Sequence, residues 1–183
     1  MAHRMRAPAN NPIRLRRARL ADLDALVALE IRAFRVDIVT RRSFRRFLTV
    51  PSADVIAAEW QGELAGYALV LFRPNTPIAR LYSIAVAPQF AGNGIGPALL
   101  DAAEKAARKR GRTVMRLEVH IRNTRAIRRY RHAGYQLFGH WPDYYDDGAP
   151  ALRFDKDLAG AAASRRRKAV KPAQKSRRAR NSA

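Results

Sequence analysis

The succession of apolar periods along this chain predicts a mixed α/β fold, a sheet of parallel and antiparallel strands with helices on both faces. Three observations carry the prediction. Segments of period two and of period 3.6 alternate between residues 13 and 158. The strand-like runs "DVIAAEW" (54–60) and "LAGYALVLFR" (64–73) meet at the turn "QGE", which reads as an antiparallel hairpin. Farther on, "ARLYSIAV" (79–86) and "TVMRLEVH" (113–120) flank a long helical run, as a parallel βαβ crossover requires.

Taken in order, "IRLRRA" (13–18) alternates weakly and reads as a first strand. "LADLDALVALEIRAF" places Leu20, Leu23, Leu26, Val27, Ile31 and Phe34 at helical spacing. "TRRSFRRFL" (40–48) reads as a short basic helix with Thr40 as its N-cap. After the hairpin and the breaker "PNTP" comes the third strand of that group. Residues 95–109 form an amphipathic helix stopped at Gly111. "NTRAIRRYRHAG" (123–134) is a helix capped by Asn123 and stopped at Gly134. "YQLFGHW" (135–141) and "APALRFDKDL" (149–158) are strands around the loop "PDYYDDG". The predicted order is β-α-α-β-β-β-α-β-α-β-β.

Composition removes several classes of function. With no cysteine there is neither a disulfide nor a thiol nucleophile, which is compatible with a cytoplasmic location. No apolar run approaches the ~20 residues that span a bilayer, so no membrane partner is expected. The N-terminus has charge but no apolar core of a secretory signal. The net charge is +21, but it is unevenly spread. Residues 159–183 hold nine basic residues and no acid, and residues 1–20 hold six arginines and no acid. These ends read as disordered segments (1–12 and 159–183) around one domain, 13–158. The tail has no aromatic residue to stack on bases, which argues against sequence-specific readout; it reads either as a solvated solubility tail or as a non-specific contact to RNA or the ribosome, held by salt-sensitive phosphate attraction. His3, His120, His132 and His140 have no ligand spacing, so no metal is expected.

The stretch "QFAGNGIG" (89–96) places Gly92, Gly94 and Gly96 between a strand and a helix. A P-loop would end in Gly-Lys-Ser/Thr, whereas this turn ends Gly96-Pro97. A dinucleotide turn wants an acid ~20 positions on; Glu118 comes slightly late, and too many antiparallel strands precede the turn. The remaining phosphate reading is a pyrophosphate cradle at a helix N-terminus, where glycines let backbone N–H groups approach. Pro97 falls in the first turn, where its missing N–H matters least.

Gln89, Gly92 and Gly94, as Q-x-x-G-x-G, resemble the acetyl-CoA signature of the GNAT acetyltransferase superfamily. The following segment, with Asn123, Ala126, Tyr130 and Gly134-Tyr135, resembles that superfamily's next motif. Within it, "LEV", "N-T-x-A-I-x-x-Y" and "YY-x-D-G" are similar to the RimI-like protein N-terminal acetyltransferases. The resemblance implies a GNAT-like fold over 13–158 and acetyl-CoA as co-substrate. It implies that Gln89, Phe90, Ala91, Gly92, Asn93, Gly94, Ile95, Gly96 and Asn123 bind it, and that a backbone N–H near Ile84, Ala85 and Val86 holds the oxyanion. It gives Glu118 the role of base, directly or through water, and Tyr130 that of acid toward the thiolate. Phe34, Tyr144 and Tyr145 become the expected acceptor contacts, with Asp143, Asp146 and Asp147 nearby to attract a cation.

Each assignment has a plainer alternative. Alternation puts Arg116, Glu118 and His120 on one face of a strand, so Glu118 either faces a cleft freely or pairs with Arg116 or Arg128. Tyr130 shares a helix face with Ile127 and is either the acid or a core residue. Where the RimI-like group has an aromatic-proline pair, this chain has Phe34-Arg35-Val36, so the acceptor stays open. It is a protein N-terminus in the leading reading and a lysine or small amine in the second; a nucleic-acid-binding scaffold is the third.

Overall fold

A computed structural model of the chain describes residues 13–160. Its elements follow the predicted order: β1 (Arg14–Arg17), α1 (Leu23–Ala33), α2 (Arg41–Thr49), β2 (Ala53–Trp60), β3 (Glu63–Phe72), β4 (Ile78–Val86), α3 (Ile95–Lys109), β5 (Val114–His120), α4 (Thr124–His132), β6 (Gln136–Trp141) and β7 (Ala151–Asp157). The segments expected to be disordered, 1–12 and all but the first two residues of 159–183, lie outside the described residues, and with them the tail's expected partner. No helix among the described residues is long and apolar enough to cross a membrane.

The strands form one sheet in the order β1-β2-β3-β4-β5-β7-β6. Within it β4 and β5 are parallel, joined through α3, and the other neighbours are antiparallel. At the β2–β3 turn, Gln61 (φ 53°) and Gly62 (φ 84°) are both left-handed, as a two-residue hairpin in a twisted sheet demands. Each face of the sheet has its own core. One joins α3 and α4 to the sheet through Leu99, Ala103, Met115, Leu117, Ile127 and Tyr130. The other joins α1 and α2 through Leu26, Leu29, Phe44, Val55, Tyr67 and Leu69.

The apolar stripe of α1 differs from the expected one. Leu20 and Ile31 are exposed, Ile31 by 60%, while Leu29 and Glu30 turn inward. Leu20 belongs to a 3-10 turn, Leu20–Asp22, ahead of the helix. From Leu23 the buried line advances in three- and four-residue steps to Leu26, Leu29 and Glu30, and Ile31 falls beside it.

The seam between β4 and β5 is short. The two strands are paired only at Ile78↔Val114, Ala79↔Met115 and Arg80↔Arg116. Beyond Arg80, β4 stays on β3 and β5 stays on β7. A bulge marks the divergence: Leu69 opposes Ser83 and Val70 opposes Leu81, so Tyr82 is the extra residue. Such a bulge bends its strand and increases the local twist. The sheet therefore opens as a wedge with Arg80 and Arg116 at its vertex.

Candidate active site

The wedge continues into a cleft of about 770 Å³ running from the start of α3 to the segment joining α1 and α2. At the α3 end, Gly92 (φ 90°) and Gly94 (φ 76°) adopt left-handed backbone, which residues with a Cβ rarely accept. Gly94 is the N-cap of α3, with no side-chain cap. The first helical bond runs from Ala98 N to Gly94 O (3.1 Å), so the N–H groups of Ile95 and Gly96 have no acceptor within the helix. A Cβ added to Gly96 would lie 3.1 Å from Cζ and Nη1 of Arg129. The glycine thus lets a guanidinium from α4 lie over the turn. Free N–H groups, a helix N-terminus and this cation make an anion site suited to a pyrophosphate.

Phe90, Ala91, Gly92, Gly94, Ile95, Gly96 and Asn123 line the cleft as expected, together with Ile84, Ala85 and Val86. Gln89 and Asn93 do not: both are exposed. Gln89 lies in the 3-10 turn Pro88–Phe90, and Asn93 Nδ2 donates to Phe90 O (3.2 Å), so they shape the turn from outside. The Asn123 cap is present, its side chain accepting from Ala126 N (3.1 Å). Residues 84–86 pair with β3 along one edge and leave the other toward the wedge. Gly66 permits that approach, since a Cβ there would meet Ala85 O at 2.8 Å.

Tyr130 reaches the cleft from α4 while its ring packs on Tyr135 (5.7 Å between centroids) and Phe154 (6.5 Å). It is thus a core residue and a cleft residue at once. Burial pushes its phenol up to about 12, so it carries its proton at neutral pH.

At the other end, Glu118 lines the cleft but is not free. Arg80 Nε donates to its Oε2 at 2.8 Å, and Arg153 Nε lies 3.8 Å from Oε1. Neither partner considered from sequence, Arg116 or Arg128, is the one found; Arg116 donates to Asp155 (3.3 Å). Arg80 belongs to the strand across the vertex, and a strand-face argument on β5 alone does not see it. Arg80 Nη2 also donates to Tyr144 Oη (2.6 Å), and Arg153 lies 3.9 Å above the Trp141 ring.

Tyr144 therefore braces Arg80 from behind, stacked on Trp141 at 5.3 Å, and is not among the residues lining the cleft. Tyr145 does line it, against His120 (4.9 Å), as does Phe34. Asp147 is engaged as well, with His120 Nε2 (3.0 Å) and Ala149 N (3.0 Å). His120 Nδ1 accepts from Arg122 N (3.1 Å), which leaves Nε2 as the donor to Asp147.

Several cleft residues carry no signal in local pattern. Glu30 is 1% exposed and accepts from Val39 N (2.8 Å) and from the Tyr67 hydroxyl. Tyr67 Oη is 2.7 Å from Ser83 Oγ. Burial raises the Glu30 carboxyl above its ordinary range. Arg129 was the more legible omission, because it follows Ala126 by one helical turn on the face that carries Asn123 and Tyr130. Among the described residues, no group of three or more His, Cys, Asp or Glu is arranged to hold a metal.

Residues 23–135 match the model of the acetyltransferase (GNAT) family. The chain belongs to that family. It is 34% identical over 118 residues to the N-alpha-acetyltransferase RimI of Mycobacterium tuberculosis, covering 63% of this chain and 73% of the relative. The first curated relatives are matched over only 26%, 47% and 43% of their own lengths, so the chain spans less than half of each. The ribosomal-protein-S18-alanine N-acetyltransferase of Escherichia coli superposes with a TM-score of 0.73 at 25% identity, over 82% of this chain and 96% of that one. The Thermoplasma acidophilum PaiA N-acetyltransferase, solved with coenzyme A, shares the fold with a TM-score of 0.68 at 19% identity, over 80% and 99%.

Proposed function

We propose that this protein transfers an acetyl group from acetyl-CoA to a primary amine, and that the amine is a protein N-terminus. The observation that carries the reading is the wedge itself, with an anion cradle at one end and Glu118 just beyond its vertex. The turn at 92–96 and Arg129 would hold the pyrophosphate, and the open edge of β4 would lie along the acyl arm. Acetyl-CoA supplies the activated acyl group. Tyr130, kept protonated by burial, gives its proton to the sulfur as it leaves. Glu118, steadied by Arg80, draws in the amine and takes a proton from it through water.

The α-amine is favoured over lysine on two grounds. It titrates at about 7.7–8.0 against about 10.4 for a lysine amine, so it needs less help to lose its proton. RimI is named an N-alpha-acetyltransferase, and the E. coli structure is named for acetylating alanine of a ribosomal protein. Phe34 and Tyr145 would flank the first residues of the acceptor, and Tyr144 would act through Arg80. We place the reaction in the cytoplasm. Incubation of the full chain with acetyl-CoA, peptides bearing a free α-amine, peptides blocked there but carrying lysine, and polyamines tests the proposal by mass spectrometry. A mass gain on the α-amine alone is expected; acetylation confined to lysine or polyamine overturns the acceptor assignment.

A further inference from the structure

Acetyl transfer to an amine that arrives as an ammonium releases two protons from nitrogen, one before attack and one as the amide forms. Glu118 can receive one of them. Across the wedge from it, the buried Glu30 of α1 and Tyr67 of β3 and the half-buried Ser83 of β4 are joined into a chain that the reaction above leaves without a task.

The polarity of that chain is set by its donors. Glu30 Oε1 accepts from Val39 N, and Oε2 accepts from the Tyr67 hydroxyl. Tyr67 has a single O–H proton, so in its 2.7 Å contact with Ser83 it must be the acceptor and Ser83 the donor. Ser83 Oγ then keeps lone pairs for a donor in the cleft, whose wall it forms. The bulge at Tyr82 places Ser83 where β4 has parted from β5.

We propose that Ser83 is a further catalytic residue, and that Tyr67 and Glu30 act through it as a relay that takes the first proton from the acceptor ammonium. The ammonium gives a proton to Ser83 Oγ as the Ser83 proton passes to Tyr67 and the Tyr67 proton to Glu30. The freed lone pair forms the C–N bond to the acetyl carbon. The C–S bond breaks, the sulfur leaving with its electron pair and the proton of Tyr130. The second N–H proton leaves through water to Glu118 and from there restores Tyr130. Glu30 returns its proton through the same hydroxyls once the products have gone, so one proton reaches solvent per turnover. The titratable and charged groups facing Glu30 are Tyr67 from β3, Asp37 from the α1–α2 segment and Tyr82 from β4. No cation is among them, and burial raises the carboxyl above its ordinary range, so it takes up a proton more readily than an exposed carboxylate.

The relay rests on the acetyl-transfer reading, and kinetics separate the two. Initial rates with acetyl-CoA and an α-amine peptide are measured from about pH 6 to 9.5 for the wild type, Tyr67→Phe, Ser83→Ala, Ser83→Thr and Glu30→Gln, a range chosen to bracket the amine's own titration. At the acid end, Tyr67→Phe and Ser83→Ala lower kcat/KM for the peptide by about 100-fold. The loss shrinks to a few-fold above about pH 9, where the amine is already neutral. Ser83→Thr keeps the hydroxyl and restores the rate. Tyr67→Phe combined with Glu30→Gln is no worse than either alone, because one chain is broken once. The KM for acetyl-CoA does not move. A loss equal at every pH, or no loss, overturns the relay. Ser83 is only partly buried, so its pair of variants decides the matter should Tyr67→Phe unfold. If the wild type accepts a different amine, the acceptor assignment fails and the same profiles with that amine still judge the relay.

Discussion

At the phosphate end of the cleft, consecutive residues from 88 to 97 form a turn whose working groups are backbone N–H donors, joined by one guanidinium from α4. At the amine end, no stretch of chain suffices. Glu118 on β5 is held by Arg80 on β4, which is held by Tyr144 in the β6–β7 loop. Glu30 on α1 is tied to Tyr67 on β3 and through it to Ser83 on β4. In the proposed reaction the first end would recognise a charge common to all uses of one ligand, and backbone geometry is enough for it. The second would, in that reaction, recognise a particular amine and manage its protons, which takes side chains brought from several elements. A substitution at the first end should therefore act on acetyl-CoA alone. One at the second should act on the acceptor, even from a position that never touches it.

The largest effect expected is that of Gly94→Glu, which puts a side chain on left-handed backbone and a carboxylate beside the anion site. Acetyl-CoA affinity in a titration calorimeter should fall by at least about 100-fold, roughly 3 kcal/mol. Equal binding by the variant and the wild type would remove the cradle from this turn. Next in size is Tyr130→Phe, at the seam shared by both ends. It should lower kcat by about 100-fold with both KM values held, as loss of a general acid does. A change confined to melting temperature would make Tyr130 a core residue and no more.

Arg80→Ala probes the amine end directly. It leaves Glu118 without its 2.8 Å partner and Tyr144 without its donor. A rise of about tenfold in the peptide KM, equivalent to about 1.4 kcal/mol, is expected with acetyl-CoA affinity unchanged. A matching loss of acetyl-CoA affinity would show that the two ends are not independent.

The smallest effect concerns stability. The Glu30 carboxyl titrates higher in the folded state than in the unfolded chain. Between those two values the folded state holds the extra proton, so this contribution to stability is full below the unfolded value and is lost as pH rises through the folded one. Glu30→Gln removes that slope. The melting temperature of the variant relative to wild type should rise as pH rises through the interval between those two values, and a difference constant with pH would contradict the buried, shifted carboxyl.

The legibility of this molecule in its sequence follows the same division. Periods two and 3.6, the caps at Thr40 and Asn123, and the stops at Gly111 and Gly134 are local, and the elements they predict are the ones found. The place of the glycine turn between β4 and α3 and that of Tyr130 on α4 are legible because each depends on a few neighbouring residues. The strand face of Glu118 is legible, but not its partner, because Arg80 lies 38 residues away; nor is the bond from Arg80 to Tyr144, which spans 64. Glu30 reads in the sequence as a polar position on an amphipathic helix, and the Tyr67 that buries it comes 37 residues later.

By itself, then, the amino-acid sequence determined which elements form, in what order, and where a phosphate could rest on a helix end. Those depend on backbone dihedrals and side-chain periodicity, which act over a few residues. Only the tertiary structure decided where β4 leaves β5, which carboxylate is clamped and which is wired to a hydroxyl. The parting of two strands depends on the bulge at Tyr82 and on each strand's other neighbour, and a carboxylate's partner depends on what the opened sheet brings within hydrogen-bond reach.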